Sequence, residues 1–219
     1  MAQWFYNKFF NIEVLMINEC SIDNRRLPLN RRDKIAFYYV KCMRFFADAF
    51  FKKRYGHRAV VLETVAAIPG MVGGMLIHLR CLRRIKDDEG WIRQLLDEAE
   101  NERMHLMTFI HIAQPNIIER LIIIITQLFF IIFYLLLYLF SPYTAHRTVG
   151  YLEEEAVISY SQYLKEVEQG RIPNIKAPPI AQSYWGLANN STLLDLIQVI
   201  RQDECRHRDK NHGFADVLL

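Results

Sequence analysis

Glu102-x-x-His105 and Glu204-x-x-His207, each preceded by a lone acid, Glu63 and Glu153, are the residues of this chain whose types and spacing could do chemistry. On a helix of 3.6 residues per turn, positions three apart share one face, so each tetrapeptide can offer a carboxylate oxygen and an imidazole nitrogen to one point. Four glutamates and two histidines make a hard, oxygen-rich set that suits paired iron or manganese, with iron favoured for oxygen chemistry; zinc takes fewer ligands. A single Glu-x-x-His is common on solvated helix faces. Two copies, in register with two upstream acids, are the ligand pattern of a two-iron carboxylate centre.

Such a set needs four helices to bring it together: one glutamate from each of two, one Glu-x-x-His from each of the others. The chain order is Glu, Glu-x-x-His, Glu, Glu-x-x-His, with gaps long enough for two helices and a turn. Helical periodicity runs through nearly every segment between the proline and glycine breaks. The fold class is therefore all-α, a ferritin-like four-helix bundle with two additional membrane-interfacial helices. The first helix, over 33–54, mixes aromatics with Lys34, Lys41 and Arg44, as a helix lying in a membrane interface does; a core-packed helix with a solvated basic edge fits the same residues. The second carries Glu63, with Pro69 as an expected kink and Gly70, Gly73 and Gly74 permitting close helix approach. A helix over 91–113 carries Glu102 and His105 and is closed by Pro115. The fifth, over 147–170, carries Glu153. A proline-rich loop over 171–186 leads to the last helix, 191–211, capped by Asn190 or Ser191.

Residues 121–140 contain no charge, which by hydropathy alone reads as a transmembrane span. The ligand order argues otherwise. One crossing there would strand Glu102 and His105 on one side and Glu153, Glu204 and His207 on the other, and a second crossing over 60–79 does not cure the separation. A helix of roughly 30 Å supplies instead the long crossover that such a bundle requires. Its apolar outer face then lies in one leaflet, which is a monotopic arrangement.

The 219 residues are enough for one bundle-sized domain, read as an N-terminal arm over 1–32 and a metal-binding domain over 33–219. Apolar residues make up 52% and charged residues 23%, more greasy surface than a soluble enzyme of this size needs. A formal charge of +3, without an RNA-binding or zinc-finger pattern, gives no reason to expect nucleic acid. Cys20, Cys42, Cys81 and Cys205 are scattered, with no C-x-x-C, so neither a disulfide framework nor a zinc site is expected and a reduced or matrix-facing location fits. The first thirty residues lack the acid-poor character of a transit peptide, which leaves targeting unread.

Three further residues stand in register with the ligands. Tyr160 lies seven residues after Glu153, on nearly the same helix face, where it could carry a transient oxidising equivalent or serve simply as a buried core tyrosine. Asn101 and Asp203 each precede a ligand glutamate directly, as partners that orient ligands or as ordinary helix-surface polarity.

At LETVAAIPGMVGGM, EAENERMHLMTF, RTVGYLEEEA and DECRHRDKNH the chain resembles the alternative oxidases, membrane-associated diiron ubiquinol oxidases, and the likeness extends over about 33–216. The resemblance implies two iron ions held by Glu63, Glu102, His105, Glu153, Glu204 and His207, with Tyr160 as the redox-active tyrosine. It implies that ubiquinol is oxidised and oxygen reduced to water without proton pumping. By the same carry-over Arg44, Asp48, Arg58, Leu62, Glu155, Ala156 and Ser159 line the quinol pocket. A homodimer on one leaflet of the mitochondrial inner membrane, facing the matrix, is likewise implied. The segment before residue 33 matches poorly, which leaves Cys20 as the sole candidate for a regulatory cysteine, and the departures at His57, Ala59 and Cys205 leave room for a mitochondrion-related organelle. A diiron hydroxylase acting on a quinone precursor would use the same six ligands and is the main rival; an iron-storage protein of ferritin type is a second.

Overall fold

The computed structural model describes residues 21, 24–52 and 54–219. Most of the 1–32 arm, including Cys20, lies outside the described residues. Among those described there are seven helices and no strand beyond an isolated bridge between Lys176 and Thr192. They are α1 (Arg31–Phe51), α2 (Tyr55–Arg84), α3 (Trp91–Ala113), α4 (Ile117–Phe140), α5 (Pro142–Glu168), α6 (Pro179–Trp185) and α7 (Leu193–Val217).

The bundle consists of two tightly packed antiparallel pairs, α2 with α3 and α5 with α7, joined by α4 as the crossover. Gly70 explains how closely the first pair approaches: a Cβ there would lie 2.2 Å from the carbonyl oxygen of Leu95. In the second pair Leu196, Ile197 and Ile200 of α7 are fully buried in one apolar cluster with Tyr160, Tyr163 and Leu164 of α5. Pro69 sits inside α2 without ending it.

Local signals set the boundaries, and several differ from the sequence reading. Asn30 caps α1 by accepting from Asp33 N, so the helix starts two residues early. It stops at Phe51, before the basic run, because Lys52 turns to φ 51° while its N–H donates to Asp48 O. The fifth helix begins at Pro142 rather than at 147. Proline suits the first helical position, where no N–H is needed, and Ser141 accepts from Thr144 N. The segment expected to be a loop over 171–186 holds α6, started by Pro179 in the same way. The last helix is capped by Thr192, reciprocally with Asp195, not by Asn190 or Ser191. Cys42 and Cys81 are free thiols, whereas Cys205 is disulfide-bonded, which the scattered cysteine spacing gave no reason to expect.

Two helices are long and apolar enough to cross a membrane, α2 and α4. The first is a core helix, 61% buried over its most apolar window, whereas α4 is only 17% buried there. α4 lies along α2 and α5, pressing Phe130, Tyr134 and Tyr138 inward and exposing Leu121, Ile124, Ile125, Leu128, Phe129 and Ile132. α1 packs on α5 and exposes Ile35, Tyr38, Phe45, Phe46 and Phe50. These are the two membrane-interfacial helices, their unpartnered faces suited to the acyl chains of one leaflet. Epitope tags before residue 33, within 86–90 and after Leu219 should accordingly share one accessibility in sealed vesicles. Ile125→Lys with Ile132→Lys should shift the protein towards the soluble fraction while leaving its metal content intact. Opposite accessibility of the 86–90 turn and the C-terminus would establish a span.

Below this apolar layer His146 is fully buried between Tyr138 and Asn211, with Trp91 and Phe214 packed around its ring. Burial lowers its pKa from 6.5 to about 4, so the folded protein holds a neutral imidazole. The unfolded chain binds the extra proton first. The stabilisation is thus present above pH 6.5, is lost as pH falls, and is gone below about pH 4. It amounts to on the order of 3 kcal/mol. His146→Gln should flatten that part of the acid limb in denaturant unfolding between pH 7 and 4; an unchanged limb would show that other groups set it.

Candidate metal centre

Glu63 comes from α2, Glu102 and His105 from α3, Glu153 from α5, Glu204 and His207 from α7. All six side chains are buried, and they meet in the middle of the bundle. Their donor atoms fall into two overlapping groups, Glu63–Glu102–His105–Glu204 and Glu102–Glu153–Glu204–His207, within each of which all donor atoms lie within 4.8 Å of one another. Glu102 and Glu204 belong to both. That is the arrangement two cations require if two carboxylates bridge them and each also has a histidine and a terminal glutamate.

The donor atoms face a common centre instead of satisfying each other. His105 Nδ1 is 3.2 Å from Glu102, 3.4 Å from Glu204 and 3.5 Å from Glu63; His207 Nδ1 is 2.5 Å from Glu102 and 3.5 Å from Glu204. Yet both Nδ1 atoms, both oxygens of Glu102, both of Glu204 and Oε2 of Glu63 are buried without a partner in hydrogen-bond geometry. Buried polar atoms seldom go unpaired, and seven around one point fit a metal pair.

The electrostatics carry the same message. Burial, with Glu102 and Glu204 close by, pushes Glu63 well above the usual carboxylate range, and burial with Glu204 and Glu102 does the same to Glu153. Burial also works against ionised Glu102, but the His105 and His207 charges overcome it and hold this carboxyl well below its ordinary value. Both histidines are desolvated, yet the acids raise His105 well above 6.5 and His207 to about 10. Protons on the imidazoles and on two acids do here what two divalent cations would do. Metal loading must displace them.

Asp203 and Asn101 lie together behind His105. Asp203 Oδ2 lies 3.3 Å from His105 Nε2, so this carboxylate fixes the ring with Nδ1 turned to the centre. Asn101 donates to the same oxygen at 3.2 Å, and Trp185 Nε1 does so at 2.8 Å; Arg206 pairs with the other oxygen. Burial opposes ionisation of Asp203, but His105, Arg206 and Trp185 keep its pKa low. Tyr160 is 4% exposed; its hydroxyl donates to Glu63 Oε1 and its ring stacks on Phe109.

Above Glu63 and Tyr160 a narrow, mostly apolar cavity of about 110 Å³ opens between α1, α2 and α5. Arg44, Leu62, Glu155, Ala156 and Ser159 line it, as do Met43, Tyr55 and Phe130, which sequence reasoning did not single out. Asp48 and Arg58 are not in the wall but brace it. Arg58 donates to Asp48 at 2.6 Å and to Ser159, and Arg44 donates to Asp48 at 2.7 Å and to the carbonyl of Glu155 at 2.9 Å. Lys41 adds an ion pair to Glu155.

A family model described as alternative oxidase matches residues 17–216. Among curated proteins, the chain is 55% identical to "Ubiquinol oxidase 1a, mitochondrial" of Oryza sativa subsp. japonica over 201 residues, 91% of this chain and 60% of that protein. It is 51% identical to "Ubiquinol oxidase 2, mitochondrial" of Nicotiana tabacum over 218 residues, 99% of this chain and 73% of that protein. With "Ubiquinol oxidase, mitochondrial" of Batrachochytrium dendrobatidis it shares 53% identity over 194 residues, 89% of this chain and 61% of the relative. The chain thus spans about 60% of the length of two of these relatives.

Proposed function

This chain belongs to the alternative oxidase family, and from that premise we propose that it oxidises ubiquinol and reduces oxygen to water at a two-iron centre, without pumping protons. The observation that supports this most is the pair of ligand groups sharing Glu102 and Glu204, set directly beneath a cavity walled by α1, α2 and α5 with Phe130 of α4. Glu63, Glu102, His105, Glu153, Glu204 and His207 would hold the two iron ions, which when bound would supply the redox centre for oxygen reduction. Two quinols yield four electrons and four protons, and one oxygen molecule becomes two waters.

The chain's own residues do the rest. The quinol enters from the leaflet between α1 and α2 and its ring is held by Arg44, Leu62, Glu155, Ala156 and Ser159, with Arg58 and Asp48 fixing the polar groups. Tyr160 holds its hydroxyl proton against Glu63 between that pocket and the ligands, where it can pass a proton and an electron together without solvent. Residues 33–219 form the catalytic domain. We place the protein, as a homodimer, on the matrix face of the mitochondrial inner membrane or of a related organelle, in keeping with the mitochondrial relatives.

The deciding experiment is oxygen uptake by the iron-loaded protein with a short-chain quinol, with and without cyanide. Uptake of one oxygen per two quinols, giving only quinone and water and persisting at cyanide levels that stop haem–copper oxidases, is the expected result. A hydroxylated quinone product would instead identify the hydroxylase reading, and a haem Soret band tracking activity would end both.

A further inference from the structure

Among the buried polar groups that the ligand set and the quinol pocket leave unused, one system lies on the far side of the bundle. Glu98 lies one helical turn before Glu102 on α3 and is 3% exposed. Its Oε1 accepts from Asn211 Nδ2 at 2.7 Å, and its Oε2 is buried with no donor at all. Asn211 Oδ1 faces His146 Nδ1 at 3.1 Å, and His146 Nε2 faces the Tyr138 hydroxyl at 3.1 Å. Because Asn211 Nδ2 donates both to Glu98 and to the carbonyl of His207, its Oδ1 must accept, so neutral His146 gives Nδ1–H to Asn211 Oδ1 and takes the Tyr138 O–H at Nε2. The donors therefore point one way, from Tyr138 inward. Tyr138 itself lines a second cavity, of about 530 Å³, between the ends of α2 and α4, with Arg80, Lys86 and Asp87 at its rim.

We propose that Tyr138, His146, Asn211 and Glu98 form a proton-exchange path between this water-accessible cavity and the interior of the carboxylate cluster, separate from the quinol pocket. Purely structural polar networks are usually closed. This one opens to solvent at one end and stops at a carboxyl with a vacant oxygen beside the ligands at the other. For one inward transfer, a proton from the cavity bonds to Tyr138 Oη as the hydroxyl proton moves to His146 Nε2. The Nδ1–H bond breaks as Asn211 Oδ1 takes that proton, and an Nδ2–H bond breaks as Glu98 Oε1 takes the last. The cavity loses one proton and Glu98 gains one; no electrons move. His146 and the Asn211 amide are left as their other tautomers, and rotation of each group about its last side-chain bond turns its proton-bearing atom inward again for the next transfer. The role of the path in turnover rests on the quinol oxidase reading: oxygen reduction takes up protons inside a site sealed from water, and the path lets protons reach it from solvent while an equal number leave the quinol for solvent.

The test begins without quinol. In protein carrying ¹⁵N-histidine, the His146 ring N–H should exchange into heavy water faster than the buried backbone amides of Arg147 and Thr148 beside it, and Tyr138→Phe should slow that exchange at least tenfold. A merely structural His146 would exchange only when the helix opens, at the rate of those amides in both proteins, and that result would overturn the proposal. In the iron-loaded enzyme, Tyr138→Phe and His146→Gln should each lower quinol oxidation several-fold and change its solvent deuterium isotope effect, at wild-type iron content. Unchanged turnover and isotope effect in both variants would remove the path from the reaction. If the wild-type protein exchanges quickly but oxidises no quinol, the exchange path stands and the oxidase reading fails.

Discussion

Glu102→Ala should abolish quinol-dependent oxygen uptake and strip the iron from a chain that still folds. Loss of a partner that merely orients a metal ligand costs roughly 10–100-fold, so removal of a carboxylate common to both ligand groups should exceed that range. The cause is electrostatic as well as geometric. Glu102 is the acid that both His105 and His207 hold in its ionised form, at 3.2 and 2.5 Å. Without it, either two imidazoles lose their main counter-charge or, with metal present, two cations lose a shared one. An uncompensated buried charge costs about 3–5 kcal/mol, which the site avoids by releasing metal and letting protons redistribute. Glu102→Gln keeps the volume and tests charge alone. Metal analysis and circular dichroism should report a helical protein with little iron in both variants. Full iron occupancy with ordinary turnover in either would strike Glu102 from the ligand set.

How much of this was legible in the sequence depends on range. The ligands were readable because helical periodicity converts a spacing of three into a shared face, and because chain order told which helices must converge. The same order decided that α4 could not cross a membrane, against its own hydropathy. What escaped were contacts set by tertiary packing. Trp185 reaches Asp203 from a short helix hidden in a segment whose prolines read as a loop, although Pro179 is what starts that helix. Glu98 opens the run EAENER, which reads as a solvated charged face. It is buried because α7 brings Asn211 over it, a contact 113 positions away that no local pattern encodes. Asp48 and Arg58 are a third case. The resemblance puts them in the quinol pocket's wall, whereas they stand behind it and hold Ser159 and Arg44 in place.

Tyr160→Phe should lower turnover by about 100-fold or more while iron still binds. The substitution is unusually clean here, since the ring packs flat on Phe109 at 5.7 Å and phenylalanine preserves that contact. Only the hydroxyl is lost, and with it the bond to Glu63. If Tyr160 were a core residue and nothing more, the change would cost about 1 kcal/mol of stability and leave the rate nearly untouched. The position argues for more. Burial, reinforced by Glu63 and Glu204, drives its pKa well above 10. The phenol therefore stays protonated at any working pH and cannot give up an electron unless its proton leaves at the same time. The acceptor for that proton is already in place in Glu63, whose carboxylate oxygen receives the phenol's hydrogen bond. Positioned proton transfer typically contributes about 10²–10⁴-fold, and that is the range the variant should forfeit. Iron content, thermal unfolding and quinol turnover measured side by side separate the outcomes. A small stability loss with a large rate loss supports the role, whereas a small loss of both would return Tyr160 to the core.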